Sequence, residues 1–307
     1  MKQVMLISDI HLGANVFKDY IRNTLDSILD TACDKLEKGS DIIWLGDVID
    51  RWKSIQDDDI LRYLTYIFAN KLKDFNHYVI KGNHDLNPKT GKSCLTFLDE
   101  LNNVTVVNEP YEYTPQILLV PHNYNGYTLE KRYSYIIAHL GLYGATMNES
   151  KTKYTSDDLL TWHIDTTPTT VFLGHIHKRQ IIEQVDCTID ILGSISVTTW
   201  GDASVTQLPK VIPVMILNNE LFTSRVDYNI KQEVTTRIDE TSNTRYICVD
   251  NEVMFEEDYT KPFKPQAIRN KGNTIEEIID TVCKEKGVDT ATVKLFLKGI
   301  GLNDIEN

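Results

Sequence analysis

The chain lacks the marks of several classes at once. No stretch supplies the ~18 consecutive apolar residues of a membrane span. No basic region followed by an apolar stretch opens the sequence, which instead enters a strand-like run at residues 3–7, so a cytoplasmic protein is expected. Cysteine is scarce. Cys33, Cys94, Cys187, Cys248 and Cys283 are odd in number and include no Cys-x-x-Cys pair, so neither a disulfide framework nor a thiolate zinc site is expected. Basic residues are also in deficit, with 32 Lys and Arg against 44 Asp and Glu and a net charge of -12. That balance argues against a surface that holds nucleic acid non-specifically by neutralising phosphates, although bound divalent cations and local basic loops can reverse the field at one site. Internal repeats and low-complexity segments are absent. What remains is an ordinary globular composition, 41% hydrophobic and 25% charged. Its 307 residues suit one large domain, or a catalytic domain with a smaller attachment.

Against this plain background stand five short polar motifs: Asp9-Ile10-His11, Gly46-Asp47-Val48-Ile49-Asp50, Gly82-Asn83-His84-Asp85, His139, and Gly174-His175-Ile176-His177. Each follows an apolar run (4–7, 42–45, 78–80, 135–138 and 171–173) that reads as a buried strand. Ligand sites in open α/β sheets form beyond the carboxyl ends of strands, so distant segments are expected to converge on one centre. Between the first three runs the spacing turns helical. Ile21, Leu25, Ile28, Ala32 and Leu36 form one apolar face with Gly39 as its stop, and Ile60, Leu61, Leu64, Ile67, Phe68 and Leu72 form another. Strands alternating with helices imply a parallel sheet.

Residues 104–138 change to short strand-like runs, and further strands are expected at 188–192 and at 212–217, returning as a hairpin over 221–227. Polar, acidic sequence after Asn229 suggests a division into a catalytic domain, 1–229, and a C-terminal region, 230–307. The latter carries a strand-like run at 246–250 and two amphipathic helices, around 275–282 and 289–297, whose apolar residues require a partner surface.

Carboxylate and imidazole donors with one Asn favour Mn, Fe, Zn or similar ions over an all-oxygen calcium site. If Asp47 bridges two ions about 3.5 to 4 Å apart, the pair can clamp a phosphate and generate hydroxide near neutral pH. His84 is then expected to face the phosphate and protonate the leaving oxygen, Asp85 to hold its ring, and Asp50 to support the ligands from behind. Five of the eight histidines fall in these motifs. The rest have no such arrangement: His77 and His163 read as structural or solvated, and His122, which follows a strand end, is a weaker candidate for the border of the cleft.

The motif set resembles the signature of the calcineurin-like metallophosphoesterases over about the first 200 residues. The resemblance implies a two-sheet β-sandwich flanked by helices, an α/β fold class, with a small α+β C-terminal capping and partner-binding region. It implies one metal held by Asp9, His11, Asp47 and His177, another held by Asp47, Asn83, His139 and His175, and His84 facing the phosphate. Within the family the chain is most similar to DNA-repair nucleases of the SbcD and Mre11 type, especially short phage recombination endonuclease subunits, for which the compartment would be the host cytoplasm. Three features carry this: the Asp that ends Gly82-Asn83-His84-Asp85, the Gly193–Asp202 stretch after Gly-His-x-His, and the size and place of the C-terminal region. The implied function is cleavage of DNA phosphodiesters with two divalent ions, Mn2+ first and Mg2+, Fe or Zn as alternatives. The implied partners are DNA, an SMC-like ATPase of the Rad50 or SbcC type, and a second copy of the chain. Lys89 and Lys92, or Lys261, Lys264, Arg269 and Lys271, are candidate phosphate contacts. The alternative is a small-molecule phosphodiesterase or a protein phosphatase, since Gly46-Asp47-Val48-Ile49-Asp50-Arg51 is similar to the phosphatase version of that motif.

Overall fold

The computed structural model describes residues 2–14, 18–124, 127–149, 151–155, 167–203, 209–219, 224–242, 244–250 and 252–258. Strand β1 (Lys2–Ile7) shows how the sequence builds the core. Val4 and Leu6 enter one hydrophobic cluster while Met5 and Ile7 enter another. A pleated strand sends alternate side chains to opposite faces, so a run that is apolar at every position belongs in a sheet covered on both sides.

From β1 the chain passes through helix α1 (Lys18–Lys35) to β2 (Asp41–Trp44), and through α2 (Asp58–Tyr66) to β3 (Asn76–Ile80) and then β4 (Val104–Val107). Strands β1, β2, β3 and β4 pair in parallel. Ile21, Leu25 and Ile28 of α1 and Ile60 and Leu64 of α2 pack against Met5, Ile7, Ile42 and Trp44. Asp57 caps α2 by accepting from the Asp59 N–H at 3.0 Å, which satisfies one of the amides the first turn leaves unpaired. The expected extension of this helix to Leu72 is present as a wider turn, in which the Leu72 N–H bonds to the Ile67 carbonyl at 2.8 Å.

A second sheet follows: β5 (Tyr111–Thr114), β6 (Ile117–Val120), β7 (Tyr135–His139), β8 (Thr170–Gly174), β9 (Gln180–Gln184) and β10 (Cys187–Ile191), in the order β5-β6-β7-β8-β10-β9. Its four central strands are parallel and its edges antiparallel. Ile117, Leu119, Ile137 and Phe172 face Leu6, Ile43, Leu45 and Ile80 of the first sheet, while Leu118, Val120, Ile136 and Leu173 face the opposite way, toward Leu129, Leu140 and Leu142. The architecture is the expected two-sheet sandwich flanked by helices.

Four more strands widen the first sheet: β11 (Pro209–Asn219), β12 (Ser224–Asp239), β13 (Thr244–Val249) and β14 (Glu252–Asp258), giving β14-β13-β12-β11-β1-β2-β3-β4. All are antiparallel to their neighbours. Residue 229, the boundary suggested by composition, falls inside β12. The chain divides into compact units 1–258 and 259–307. The two C-terminal helices expected from the sequence, His163, and the basic residues Lys261, Lys264, Arg269 and Lys271 lie outside the described residues. The cysteines among the described residues are all free, as expected.

Candidate metal centre

The carboxyl ends of β1, β2, β3, β7 and β8 carry the five motifs. Register does part of the work, because His139 pairs with Gly174 where β7 meets β8 and so sits beside the His175 loop. Sharp turns do the rest. Asp9, His11, Asp47 and His175 have φ of +50°, +54°, +49° and +85°, a left-handed conformation that costs energy for a residue with a Cβ and tends to persist where function requires it. Glycine supplies the remaining space, since a Cβ at Gly82 would lie 2.1 Å from Asp47 Oδ1 and one at Gly46 would lie 2.4 Å from His139 Nδ1.

The side chains then meet in overlapping groups. Asp9, His11 and His177 form one and Asp47, His139 and His175 another, the two that the resemblance implies, while His11, Asp50 and His84 form a third, with donor atoms in each group within 4.8 Å of one another. His11 Nε2 lies 3.1 Å from His177 Nε2. Asn83 Oδ1 lies 3.0 Å from His139 Nε2 and 2.8 Å from His175 Nδ1. Asp47 stands between the groups, its Oδ2 3.3 Å from His139 Nε2 and 3.8 Å from His11 Nε2, and its Oδ1 accepts from the His84 N–H at 2.8 Å. Asp9 accepts from the His175 N–H at 3.0 Å. All seven residues expected to hold metal are therefore brought together.

Burial makes this assembly electrostatically tense. Asp9, Asp47 and His139 are 0–1% exposed. Burial disfavours charge on Asp47, but His139, then His11 and His84, hold its carboxyl well below the usual carboxylate range. Burial likewise opposes charge on His139, but Asp47 and then Asp9 bring it up to about 9. Burial pushes His11 and His175 down to about 3, so these rings are neutral and carry a lone pair. Neutral His11 and His175 and ionised Asp47 are in the states that bind cations, whereas His139, held protonated by Asp47, would give up its proton to a bound cation.

One expected role changes hands. Asp85 does not hold the His84 ring: its carboxylate turns inward, accepting from the Gly82 N–H at 3.0 Å and the Ile49 N–H at 3.2 Å, and so ties the loop after β3 to the loop after β2. Burial, with Asp47 nearby, raises its carboxyl to about 7. The ring of His84 is held instead by the backbone carbonyl of Asp50, which lies against its Nδ1. The carboxylate of Asp50 is 3.9 Å from His11 Nδ1 and borders the cleft beside Asn83 and His84.

Two further residues join from outside the five motifs. Asp202 Oδ1 lies 3.1 Å from His177 Nδ1, while its Oδ2 accepts from the amides and hydroxyls of Thr198 and Thr199. Tyr154 Oη lies 3.2 Å from His175 Nε2. His122 stacks on His175 with 6.2 Å between ring centroids, bordering the site as the sequence suggested. The cleft over the centre is lined by Asp47, Asn83, His84, His175 and His177, and by Met147, Asn148, Thr199 and Asp202. Lys89 and Lys92 are exposed and do not line it.

The sequence model of the Calcineurin-like phosphoesterase family matches residues 2–179. No curated protein matches the sequence. Among solved structures, the chain is similar to nuclease MPE of Pseudomonas putida, at 16% identity over 69% of this chain and 83% of that one, with a TM-score of 0.38. It is also similar to an archaeal phosphodiesterase, at 13% identity over 74% and 99% of the two chains with a TM-score of 0.39. Vacuolar Protein Sorting 29 from Cryptosporidium parvum matches at 13% identity over 83% and 97%, with a TM-score of 0.29.

Proposed function

The chain belongs to the calcineurin-like phosphoesterase family and is a metal-dependent phosphoesterase, and from that premise we propose that it cleaves DNA phosphodiesters at the centre formed by Asp9, His11, Asp47, Asn83, His139, His175 and His177. The observation that carries the dinuclear reading is the pair of donor groups sharing one buried carboxylate, Asp47. The donor set fits divalent transition ions, Mn2+ first: carboxylates, imidazoles and one amide oxygen converge, with His11 Nε2 and His177 Nε2 only 3.1 Å apart, close enough to share one cation. When bound, two such ions supply Lewis acidity to a phosphoryl oxygen and make hydroxide available near neutral pH.

The chain's own residues supply the rest. With Nδ1 of His84 committed to the Asp50 carbonyl, Nε2 is the nitrogen left to meet a phosphate in the cleft and to deliver a proton to the departing oxygen. Asp85 acts one step back, fixing the turn that presents Asn83 and His84. DNA as substrate is supported by the motif ending Asn83-His84-Asp85 and by the Gly193–Asp202 segment, whose last residue meets His177. The same reading assigns the region after residue 229 to capping and to an SMC-like ATPase partner, with a second copy of the chain completing the assembly. A cytoplasmic location goes with that role, and no helix among the described residues is long and apolar enough to cross a membrane.

A small phosphodiester or a phosphoprotein is the second reading, favoured by the net charge of -12. Linear single- and double-stranded DNA, bis(p-nitrophenyl) phosphate and p-nitrophenyl phosphate, each with Mn2+, separate the two. The DNA reading predicts oligonucleotide products, and a fall of about 10²- to 10⁴-fold in kcat for His84→Ala, the range of a lost general acid. Hydrolysis of the small esters with DNA left intact, with and without the ATPase partner, would overturn it in favour of the second.

A further inference from the structure

Two histidines of this centre share a pattern: one ring nitrogen faces the other donors, and the opposite nitrogen is pinned from behind. For His139 the rear partner is the Leu45 carbonyl, 2.6 Å from Nδ1, and for His177 it is Asp202, 3.1 Å from Nδ1. His175 is turned the other way round. Its Nδ1 faces Asn83 Oδ1 at 2.8 Å, within the group formed with Asp47 and His139, and its Nε2 faces Tyr154 Oη at 3.2 Å.

Tyr154 reaches that position along a prepared path. Its N–H donates to the Ala145 carbonyl and its own carbonyl accepts from the Gly144 N–H, both at 2.9 Å. The phenol meets the imidazole edge-on, with 5.3 Å between centroids and 87° between planes. The ring lies so close over Gly141 that a Cβ there would stand 2.1 Å from Cε1. Gly141 is not among the residues with positive φ, so its backbone does not call for glycine; the space it leaves is filled by the phenol.

We propose that Tyr154 is a positioning residue for metal binding, which holds His175 with Nδ1 toward the cation shared by Asp47, Asn83 and His139. This rests on the dinuclear reading above. An imidazole that gives the Nδ1 lone pair to a cation carries its one proton on Nε2, and the phenol oxygen is placed to accept it. Fixing that tautomer and ring plane is what outer partners of metal-bound histidines do.

Calorimetric titration of Mn2+ into metal-free protein tests this without reference to turnover. Tyr154→Phe keeps the ring over Gly141 and removes only the hydroxyl. Wild type is expected to bind two ions, and the variant to bind one of them about ten- to hundredfold more weakly, with its thermal midpoint in EDTA unchanged. In a His175→Ala background, Tyr154→Phe should have no further effect, because the partner it acts through is gone. Wild-type affinities for both ions in Tyr154→Phe, or an equal loss in the His175→Ala background, would overturn the assignment. A wild type that binds no Mn2+ would overturn the dinuclear reading, and this inference with it.

Discussion

Strand β3 carries a buried histidine near its start and leads, four residues beyond its end, to a half-buried one whose surroundings are quite different. His77, near its start, has both ring nitrogens placed: Nδ1 accepts from Trp44 Nε1–H at 3.2 Å, and Nε2 lies 3.1 Å from the Leu72 carbonyl, so that it donates there. Phe68 packs edge-on against the ring, with 5.0 Å between centroids. Beyond the other end of the strand, Asn83 and His84 enter a cluster in which imidazoles face imidazoles and one carboxylate serves several rings. The difference is that His77 is satisfied by a donor and an acceptor of the fold, whereas in the cluster the nitrogens turn toward one another and toward shared carboxylate and amide oxygens, a set of donors suited to a cation. Burial does not distinguish a structural histidine from a functional one; the partners of its two nitrogens do.

Asp47→Asn should break this contrast most severely. The substitution removes the one negative charge common to both donor groups, so hydrolysis of bis(p-nitrophenyl) phosphate is expected to fall by about 10³-fold or more, equivalent to about 4 kcal/mol of barrier. Calorimetry should show Mn2+ binding weakened at both positions. A variant that retains both ions would show that Asp47 does not join them.

Asp202→Asn asks whether the pattern of rear support extends to the other donor group. The amide cannot offer His177 a charged acceptor, and a ten- to hundredfold weaker affinity for one Mn2+ ion is the expected result. Unchanged affinity would make Asp202 a local brace for the Thr198 and Thr199 turn only.

The smallest effect concerns His77 and sharpens the comparison from the structural side. Burial depresses its folded-state value to about 4, below the ordinary 6.5. Above pH 6.5 the ring is neutral folded or unfolded and costs nothing; below it the unfolded chain takes up the proton first, so stability is lost as pH falls from 6.5 toward 4. Between pH 6.5 and 5.5 this amounts to about 1 kcal/mol. His77→Phe should flatten the pH dependence of urea unfolding by that amount over this interval. An equally steep dependence would mean that His77 is not the group responsible.

Much of this was legible in the sequence, for a definite reason. Strands covered on both faces must be apolar at every position, so the runs before Asp9, Asp47, Asn83, His139 and His175 stood out, and the polar residues that end them marked the carboxyl edge of each sheet. Elements without that signature were not foreseen. Strand β9 is a largely solvent-facing edge and β14 is rich in Glu, so neither has an apolar pattern. The supporting shell was harder to see. Asp202 and Tyr154 come from loops, where no period indicates which side chain turns inward. The hold on His84 belongs to a backbone carbonyl at Asp50, a group that every residue has and no motif records, which is why neighbouring Asp85 looked like the partner. Near residue 229 polar sequence coincides with a strand, β12, which composition alone does not reveal.

The central claim is that the five motifs form one centre for two cations. Anomalous diffraction from crystals of the full chain grown with Mn2+ tests it most directly. The account predicts two peaks on either side of Asp47, one beside Asp9, His11 and His177 and the other beside Asn83, His139 and His175. A single peak, or peaks away from Asp47, would contradict it.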